Sequence, residues 1–492
     1  MKSIGRRALT LYALILLFLA GCGLLYFNLV TNANDWAMNR ANKHLYSDGA
    51  LSTAGDILDS KGNIIVTTKD GKRVYSDNKN LRIALLHTVG DTSGYIANGI
   101  QTAFKDELTG YTLLDGVYNL KRYGKGNDIK LTLNSKVCET AYRALGNNKG
   151  TVGVMNYKTG EIICIASTPT YDINNKPKDI DTDTTGKYEG IYMNRFFSGV
   201  YTPGSTFKVL TAICAVENIP DIYERTFECK GKILIGEGYV ICSGTHGKID
   251  FENALNKSCN CAFAQIADEL GAEKLMATAE RIGFNTNMAD ISGKIHCAKS
   301  RINLTESSAL DIGWAGIGQY TTLINPCHML TVMGAIANGG TAQTPYLVSQ
   351  ITSPEGKTVF SAKENMTGEY FAPDVAKKVD EMLRSNVKNQ YGDGFFPKMS
   401  FCGKTGTAEV SNDKNIRPNA LFVGYSQLDE MPFAIIVVVE DTTTSITSAV
   451  PIASKVMKAV KSEYIKDKKR LFQSLLCFCG PLTLSTIYGK IT

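Results

Sequence analysis

The hydrophobic pattern divides the chain into unlike stretches. Residues 8–30 carry no charge, and Lys2, Arg6 and Arg7 stand just before them. At about 1.5 Å per residue, a helical run of that length crosses a ~30 Å hydrocarbon layer. The basic flank predicts residues 1–7 on the cytoplasmic side and the remainder exported. Between 31 and 127 short apolar runs such as Ile64-Ile65-Val66 alternate with turn signals such as Asp70-Gly71, with no sustained helical period. That predicts a small, irregular, membrane-proximal module. Beyond it the periods sharpen. A strand at Asp128-Ile-Lys-Leu-Thr-Leu133 leads to a helix over 135–145, then to strands over 151–156 and 161–167 joined by Tyr157-Lys-Thr-Gly160. The middle, 205–337, reads as mostly helical. Three further strands follow at 400–410, 421–425 and 433–440, then a helix over 451–466 with Pro451 in its first turn, where a missing N–H does no harm. Strands at both ends of a helical middle predict an α+β domain, an antiparallel sheet assembled from distant segments and covered by helices. The expected organisation is a cytoplasmic tail (1–7), one transmembrane helix (8–30), an N-terminal module (31–127), a main domain (128–466) and a C-terminal tail (467–492). That tail is moderately apolar but interrupted by Gly480-Pro481, which suits an interfacial or packed segment better than a second span.

Composition narrows this picture. With 492 residues, 44% apolar and 20% charged, the chain is too long and too apolar for a disordered tail or a disulfide-stapled mini-protein. Its 53 basic and 47 acidic residues leave a net charge of +6 without a long basic run, so no nucleic-acid partner is expected. Leu19-Ala-Gly-Cys22 matches a lipobox, but residues 23–30 remain apolar, which favours an uncleaved anchor. Thirteen cysteines are present, and Cys259-x-Cys261 and Cys477-x-Cys479 lack the C-x-x-C spacing of zinc or redox sites. Five scattered histidines add little, so no metal site is expected. Cys229 and Cys242 flank a hairpin-like segment that they either bridge or leave open.

Three motifs carry chemistry. Ser205-Thr-Phe-Lys208 follows Pro203-Gly204, a turn that places Ser205 at a helix N-terminus, where free N–H groups favour developing negative charge. Lys208, three residues on, shares its face. The apolar run after it (Val209-Leu-Thr-Ala-Ile) would desolvate the ammonium and lower its pKa, and a neutral amine beside a hydroxyl makes a nucleophile without histidine. Ser258-Cys-Asn260 enters a second helix; its hydroxyl suits proton relay to a leaving amine and its amide suits holding a substrate amide. Lys404-Thr405-Gly406-Thr407 is no phosphate loop, because position 398 is Lys where that motif needs Gly. It reads as a strand for docking an extended substrate ending in a carboxylate, with Gly406 allowing close approach.

In the order S-x-x-K, S-x-N and K-T-G, these motifs are the set of penicillin-binding proteins and class A β-lactamases. The surrounding segments, Asn194-Arg-Phe-Phe-Ser-Gly-Val-Tyr-Thr-Pro-Gly-Ser-Thr-Phe-Lys208, Lys257-Ser-Cys-Asn-Cys-Ala-Phe-Ala-Gln265, Ile317-Gly-Gln319, Ala337-Asn-Gly-Gly340 and Gly403-Lys-Thr-Gly-Thr-Ala-Glu409, resemble a class B penicillin-binding protein of the penicillin-binding protein A group. The resemblance spans about 128–466. It departs at Ala54 and Ser60, where the family commonly carries Arg, and at Leu421, where Trp is frequent.

The resemblance implies the penicillin-binding/serine β-lactamase-like fold and D,D-transpeptidation of peptidoglycan stem peptides. Ser205 would be the nucleophile, Lys208 its base, Ser258 the relay and Lys404 an electrostatic aid. Asn260, Thr405, Gly406 and Thr407 would bind substrate. It implies covalent inhibition by β-lactam antibiotics, no metal or organic cofactor, and a SEDS-family glycan polymerase as membrane partner. The alternatives are a β-lactamase or penicillin sensor and a non-catalytic scaffold. Glu252-Asn-Ala-Leu-Asn256 fits the deacylation motif of β-lactamases but precedes Ser258 instead of following it, and is read as chance.

Overall fold

The computed structural model describes residues 2–39, 41–43, 45–47, 50–111, 124–409, 417–442, 445 and 447–478. The chain opens with helix α1 (Lys2–Ala37). Among the described residues, its stretch Arg7–Ala33 is the helix long and apolar enough to cross a membrane by length and composition. Its leucines and aromatics, Leu24 to Phe27 among them, are exposed to the surroundings. Six later helices bear on the site: α2 (Ser135–Leu145), α3 (Lys208–Asn218), α4 (Asn260–Arg281, broken at Gly271), α5 (Pro326–Ala337), α6 (Pro373–Asn386) and α7 (Ala449–Phe478). Their starts follow capping chemistry. Asn134 accepts from the N–H groups of Lys136 and Val137, Asn325 accepts from that of His328, and α5 and α6 begin on proline.

The fold is α+β. Strands β1 (Gly150–Asn156), β2 (Ile162–Thr168), β3 (Phe401–Ala408), β4 (Asn419–Ser426) and β5 (Phe433–Val439) form an antiparallel sheet in the order β3-β4-β5-β1-β2. Central β5, Phe-Ala-Ile-Ile-Val-Val-Val, is buried at all seven positions, so both sheet faces must be covered. Helices α2 and α7, in contact with each other, and α5 and α6, likewise paired, provide the cover. Each buried Ile or Val side chain there contributes about 1.5–3 kcal/mol. The site strand β3 lies at the sheet edge, with one row of backbone groups free to meet other partners.

The expected N-terminal module is tied into the main domain. A six-stranded sheet runs Thr358–Ser361, Val348–Thr352, Asp128–Leu131, Ile57–Leu58, Ile64–Lys69, Lys72–Tyr75, so hydrogen bonding crosses the 127/128 boundary. The module is also more helical than its pattern suggests. Lys79–Val89 is a helix capped by Asn78, and its residues Ile83 to Val89 are all buried, leaving no polar face to reveal a period. The helix expected over 451–466 starts at Ala449 and continues through the basic run to Phe478; Gly480-Pro481 lies outside the described residues.

Arg73 holds the segment around Ala54, the position where an arginine was expected. Its Nη1 donates to the carbonyls of Ala54 (3.2 Å) and Gly55 (2.7 Å), and its Nε to Gln101 Oε1 (2.9 Å). Burial lowers its pKa to about 10. Arg73→Met would strand those acceptors inside the module, at a cost of about 3 kcal/mol. We expect a fall of several degrees in the thermal midpoint of the full chain in detergent, only partly recovered by Arg73→Lys; an unchanged midpoint would contradict this reading.

Candidate active site

Ser205 sits in a tight turn of 3₁₀ type, Gly204–Thr206, and α3 begins only at Lys208. The expected helix N-terminus is therefore shifted by one short turn. The turn is wedged in place by backbone contact. Gly204 has φ +52°, donates its N–H to Gly318 O at 2.9 Å, and would set a Cβ 2.4 Å from Thr407 O. Only glycine satisfies both demands. Upstream, Asn325 Nδ2 ties down the carbonyls of Phe197 (2.8 Å) and Gly199 (2.9 Å). Glu440 accepts from both Arg195 Nε and the Tyr201 hydroxyl. The turn that carries Ser205 is thus clamped before its side chain is considered.

Lys208 is fully buried, and burial lowers its pKa from 10.5 to about 8. Its Nζ lies 2.7 Å from Ser258 O, 2.7 Å from Asn260 Oδ1 and 3.1 Å from Ser205 Oγ. The first two partners can only accept, since Asn260 uses Nδ2 to donate to Ile241 O at 2.8 Å, which fixes the amide's orientation. A neutral amine has two N–H donors and one lone pair. Two acceptors and one hydroxyl suit both states: an ammonium donates to all three, and a neutral amine donates to the two acceptors and turns its lone pair to the Ser205 hydroxyl. Ser258 adopts φ +53°, rare for a residue with a Cβ, and this aims both its carbonyl and its hydroxyl at the amine.

Lys404 approaches the same hydroxyl from β3, with Nζ 3.0 Å from Ser258 Oγ and 3.1 Å from Thr405 O. It is also buried, and its pKa is lowered by burial first and by the charge of Lys208 second. Ser258 Oγ thus lies between two amines, 3.0 Å from one and 3.4 Å from the other. Thr405 donates its N–H to the Tyr391 hydroxyl at 3.0 Å, away from β4, and Asn386 Nδ2 reaches Gly403 O on the same side at 2.6 Å. By the two-residue period of a strand, the Thr407 N–H points to that open edge as well. Ser445 steadies the far end, with its Oγ 3.1 Å from Thr407 Oγ1 and donating to Gly406 O.

These groups open onto a groove of about 550 Å³ whose walls include Ser205, Ser258, Asn260, Thr405, Thr407, Trp314 and Gln319. The structure therefore gathers Ser205, Lys208, Ser258, Asn260, Lys404, Thr405 and Thr407 in one place. At Gly406 a Cβ would lie 2.5 Å from Pro203 O and 2.9 Å from Thr206 N, so the glycine lets β3 abut the turn that carries Ser205. Leu421 is fully buried opposite Gly406, behind the groove. Glu252 hydrogen-bonds Ser385 and is absent from the groove walls. Cys229 and Cys242 are free thiols and do not bridge their hairpin. They instead converge with His246 and Cys259, a cluster the linear spacing of the cysteines gave no reason to expect. Tyr391, Asn386 and Ser445 were not singled out from the sequence. They fall between motifs as isolated polar residues, and no pattern distinguishes them before the fold brings them to β3.

Comparison with known proteins gives a consistent result. A family model described as the penicillin binding protein transpeptidase domain matches residues 150–458, more than half of the chain. The chain is 26% identical over 376 residues to the peptidoglycan D,D-transpeptidase PbpA of Mycolicibacterium smegmatis, covering 71% of this chain and 75% of that one. It is 28% identical over 356 residues to stage V sporulation protein D of Bacillus subtilis, covering 68% and 53%. Among solved structures, the D,D-transpeptidase domain of a peptidoglycan glycosyltransferase from Eggerthella lenta superposes with a TM-score of 0.72 at 27% identity, over 83% of this chain and 98% of that one. The ceftriaxone acyl-enzyme complex of penicillin-binding protein A from M. tuberculosis shares the fold, with a TM-score of 0.74 at 24% identity over 83% and 98%. The constellation built around Ser205 and the match across the domain that carries it lead to one assignment: the chain belongs to the penicillin-binding-protein transpeptidase family.

Proposed function

We propose that this chain cross-links peptidoglycan stem peptides by D,D-transpeptidation through an acyl-enzyme on Ser205. The observation that carries the reading is the convergence of Ser205, Lys208, Ser258 and Lys404 on one hydrogen-bonded cluster. Neutral Lys208 takes the Ser205 proton as Oγ attacks the penultimate D-Ala carbonyl. The N–H groups of Ser205 and Thr407 receive the oxyanion, a contact typically worth about 10²–10³ in rate per donor. As the C–N bond breaks, the proton passes through Ser258 Oγ to the departing D-Ala amine. An amine from a second stem then attacks the ester, and Ser205 recovers its proton. Lys404 offsets negative charge at the groove, Thr405 and Thr407 hold the substrate carboxylate, and Asn260 holds Lys208 in line.

A β-lactam acylates the same serine. Glu252, the residue that fits the deacylation motif of β-lactamases, lies away from the groove, and in this reading penicillin is held rather than turned over. In this reading α1 is a signal-anchor with residues 1–7 inside the cell, the module of residues 31–127 a pedestal, and residues 128–466 the extracytoplasmic catalytic domain. A SEDS-family polymerase would dock alongside α1, and the segment 467–492 has no assigned role.

Two measurements test the reading. Fluorescent penicillin should label the wild type covalently, and Ser205→Ala should lose all labelling while keeping the melting temperature; labelling retained in Ser205→Ala would refute the nucleophile. The acylation rate should also climb with pH. A Lys208 pKa near 8 leaves about a tenth of the amine neutral at pH 7, so the rate should rise through pH 8 and level above it. Lys208→Met should lower it by at least ~10²-fold, the usual scale for a lost general base. A rate flat from pH 6 to 9 would contradict a lysine base.

A further inference from the structure

Beside the groove, four side chains that the acylation chemistry does not use face one another. Cys229 ends the strand Thr226–Cys229, and His246 immediately precedes its partner strand Gly247–Asp250. Cys242 follows the second strand of the neighbouring hairpin, Lys232–Ile235 with Gly238–Ile241. Cys259 caps α4 from within the Ser258-Cys-Asn260 motif. Their ligand atoms all lie within 4.8 Å of one another. His246 Nδ1 is 3.5 Å from Cys229 Sγ and 3.6 Å from Cys242 Sγ, and the sulfurs of Cys242 and Cys259 are 4.0 Å apart.

Those separations have a specific meaning. Zinc bonds of about 2.3 Å to sulfur and 2.0–2.1 Å to imidazole nitrogen, arranged tetrahedrally, set S···S near about 3.8 Å and S···N near about 3.6 Å. A disulfide would need about 2.0 Å between sulfurs. The sulfurs are also supplied with donors, as zinc-bound thiolates are: the Asn260 N–H points at Cys242 Sγ (3.3 Å) and the Ala262 N–H at Cys259 Sγ (3.5 Å). The three cysteines are buried and His246 is half-buried, so the cluster is enclosed on the protein side and reachable from one.

We propose that Cys229, Cys242, His246 and Cys259 form a closed, four-ligand structural site for one Zn²⁺ ion. Binding replaces three thiol protons, released to solvent, by three Zn–S bonds and adds one Zn–N bond, leaving a centre of net charge −1. With no open coordination position, the ion does no hydrolysis. It fastens two solvent-facing hairpins to the start of α4, a region where Leu234, Tyr239 and Ile241 are exposed instead of packed. It also protects thiols that an oxidising extracytoplasmic space would otherwise oxidise. In sequence the set reads Cys-x₁₂-Cys-x₃-His-x₁₂-Cys, and only the Cys242-x₃-His246 step has ligand-like spacing.

The test is metal content, which needs no substrate and stands apart from the acylation reading. The full chain, purified in detergent without chelator or polyhistidine tag, should contain about one zinc per chain by plasma mass spectrometry. His246→Ala and Cys242→Ser should each carry less than a tenth of that. To separate metal loss from misfolding of Cys242→Ser, reduced metal-free wild type is titrated with ZnCl₂ against a chromophoric chelator. It should take up one equivalent and gain several degrees in melting temperature. Failure of the reduced wild type to take up zinc would overturn the proposal. So would a quantitative Cys242–Cys259 disulfide, seen as a 2 Da mass deficit in protein purified without reductant, or full zinc content in His246→Ala.

Discussion

The site depends on keeping water away from one amine. Lys208 has no exposed surface, and its three close partners are two pure acceptors and the nucleophile's hydroxyl. Those partners could receive an ammonium's three N–H groups, but the loss of bulk solvent outweighs them, and burial lowers the pKa to about 8, so the neutral form is reached at a pH where a free lysine is still charged. The neighbouring Lys404 shares the Ser258 hydroxyl, and its own pKa is lowered by burial and then by the charge of Lys208. In the proposed mechanism, nucleophile activation without histidine is a consequence of packing, and the surrounding fold maintains that packing.

Three glycines show how. Gly204, Gly318 and Gly406 let three backbone segments meet at distances that a Cβ would forbid: a Cβ on Gly318 would fall 2.1 Å from Gly204 O, and one on Gly406 2.5 Å from Pro203 O. The nucleophile's turn is thereby pressed between the loop after Ile317 and the edge strand β3. The sheet behind has its central strand β5 buried throughout, while β3 has only one strand neighbour and meets side chains at its other edge. Tyr391 and Asn386 hold that edge from outside at Thr405 and Gly403. The catalytic chemistry is thus placed where a buried core meets the sheet's edge.

Much of this was legible before folding, and the reasons differ by residue. Ser205 and Lys208 share a helical turn, so their proximity follows from local geometry. The arrival of Ser258 and Lys404, 53 and 199 residues further along than Ser205, was legible only as a familiar ordering of motifs, since no local rule brings them together. The strands Ile162–Thr168 and Phe433–Val439 showed clearly because buried β strands are apolar runs. Lys79–Val89 was missed because burial on nearly all sides erased its period. Tyr391, Ser445 and the Cys229–Cys242–His246–Cys259 cluster were missed because each depends on contacts between distant segments. Gly406 was noticed as a point of close approach, and the fold adds a neighbour the sequence did not show, the chain's own turn at Pro203 and Thr206.

The most direct measurement of the central claim is the titration of the Lys208 amine itself. Nuclear magnetic resonance of the full chain labelled with ¹⁵Nζ-lysine, with the signal assigned by its disappearance in Lys208→Gln, reports the protonation state without any substrate. The account predicts a midpoint near 8, lowered from the 10.5 of a free side chain. A Lys208 signal that stays protonated until pH 10 or above would contradict it.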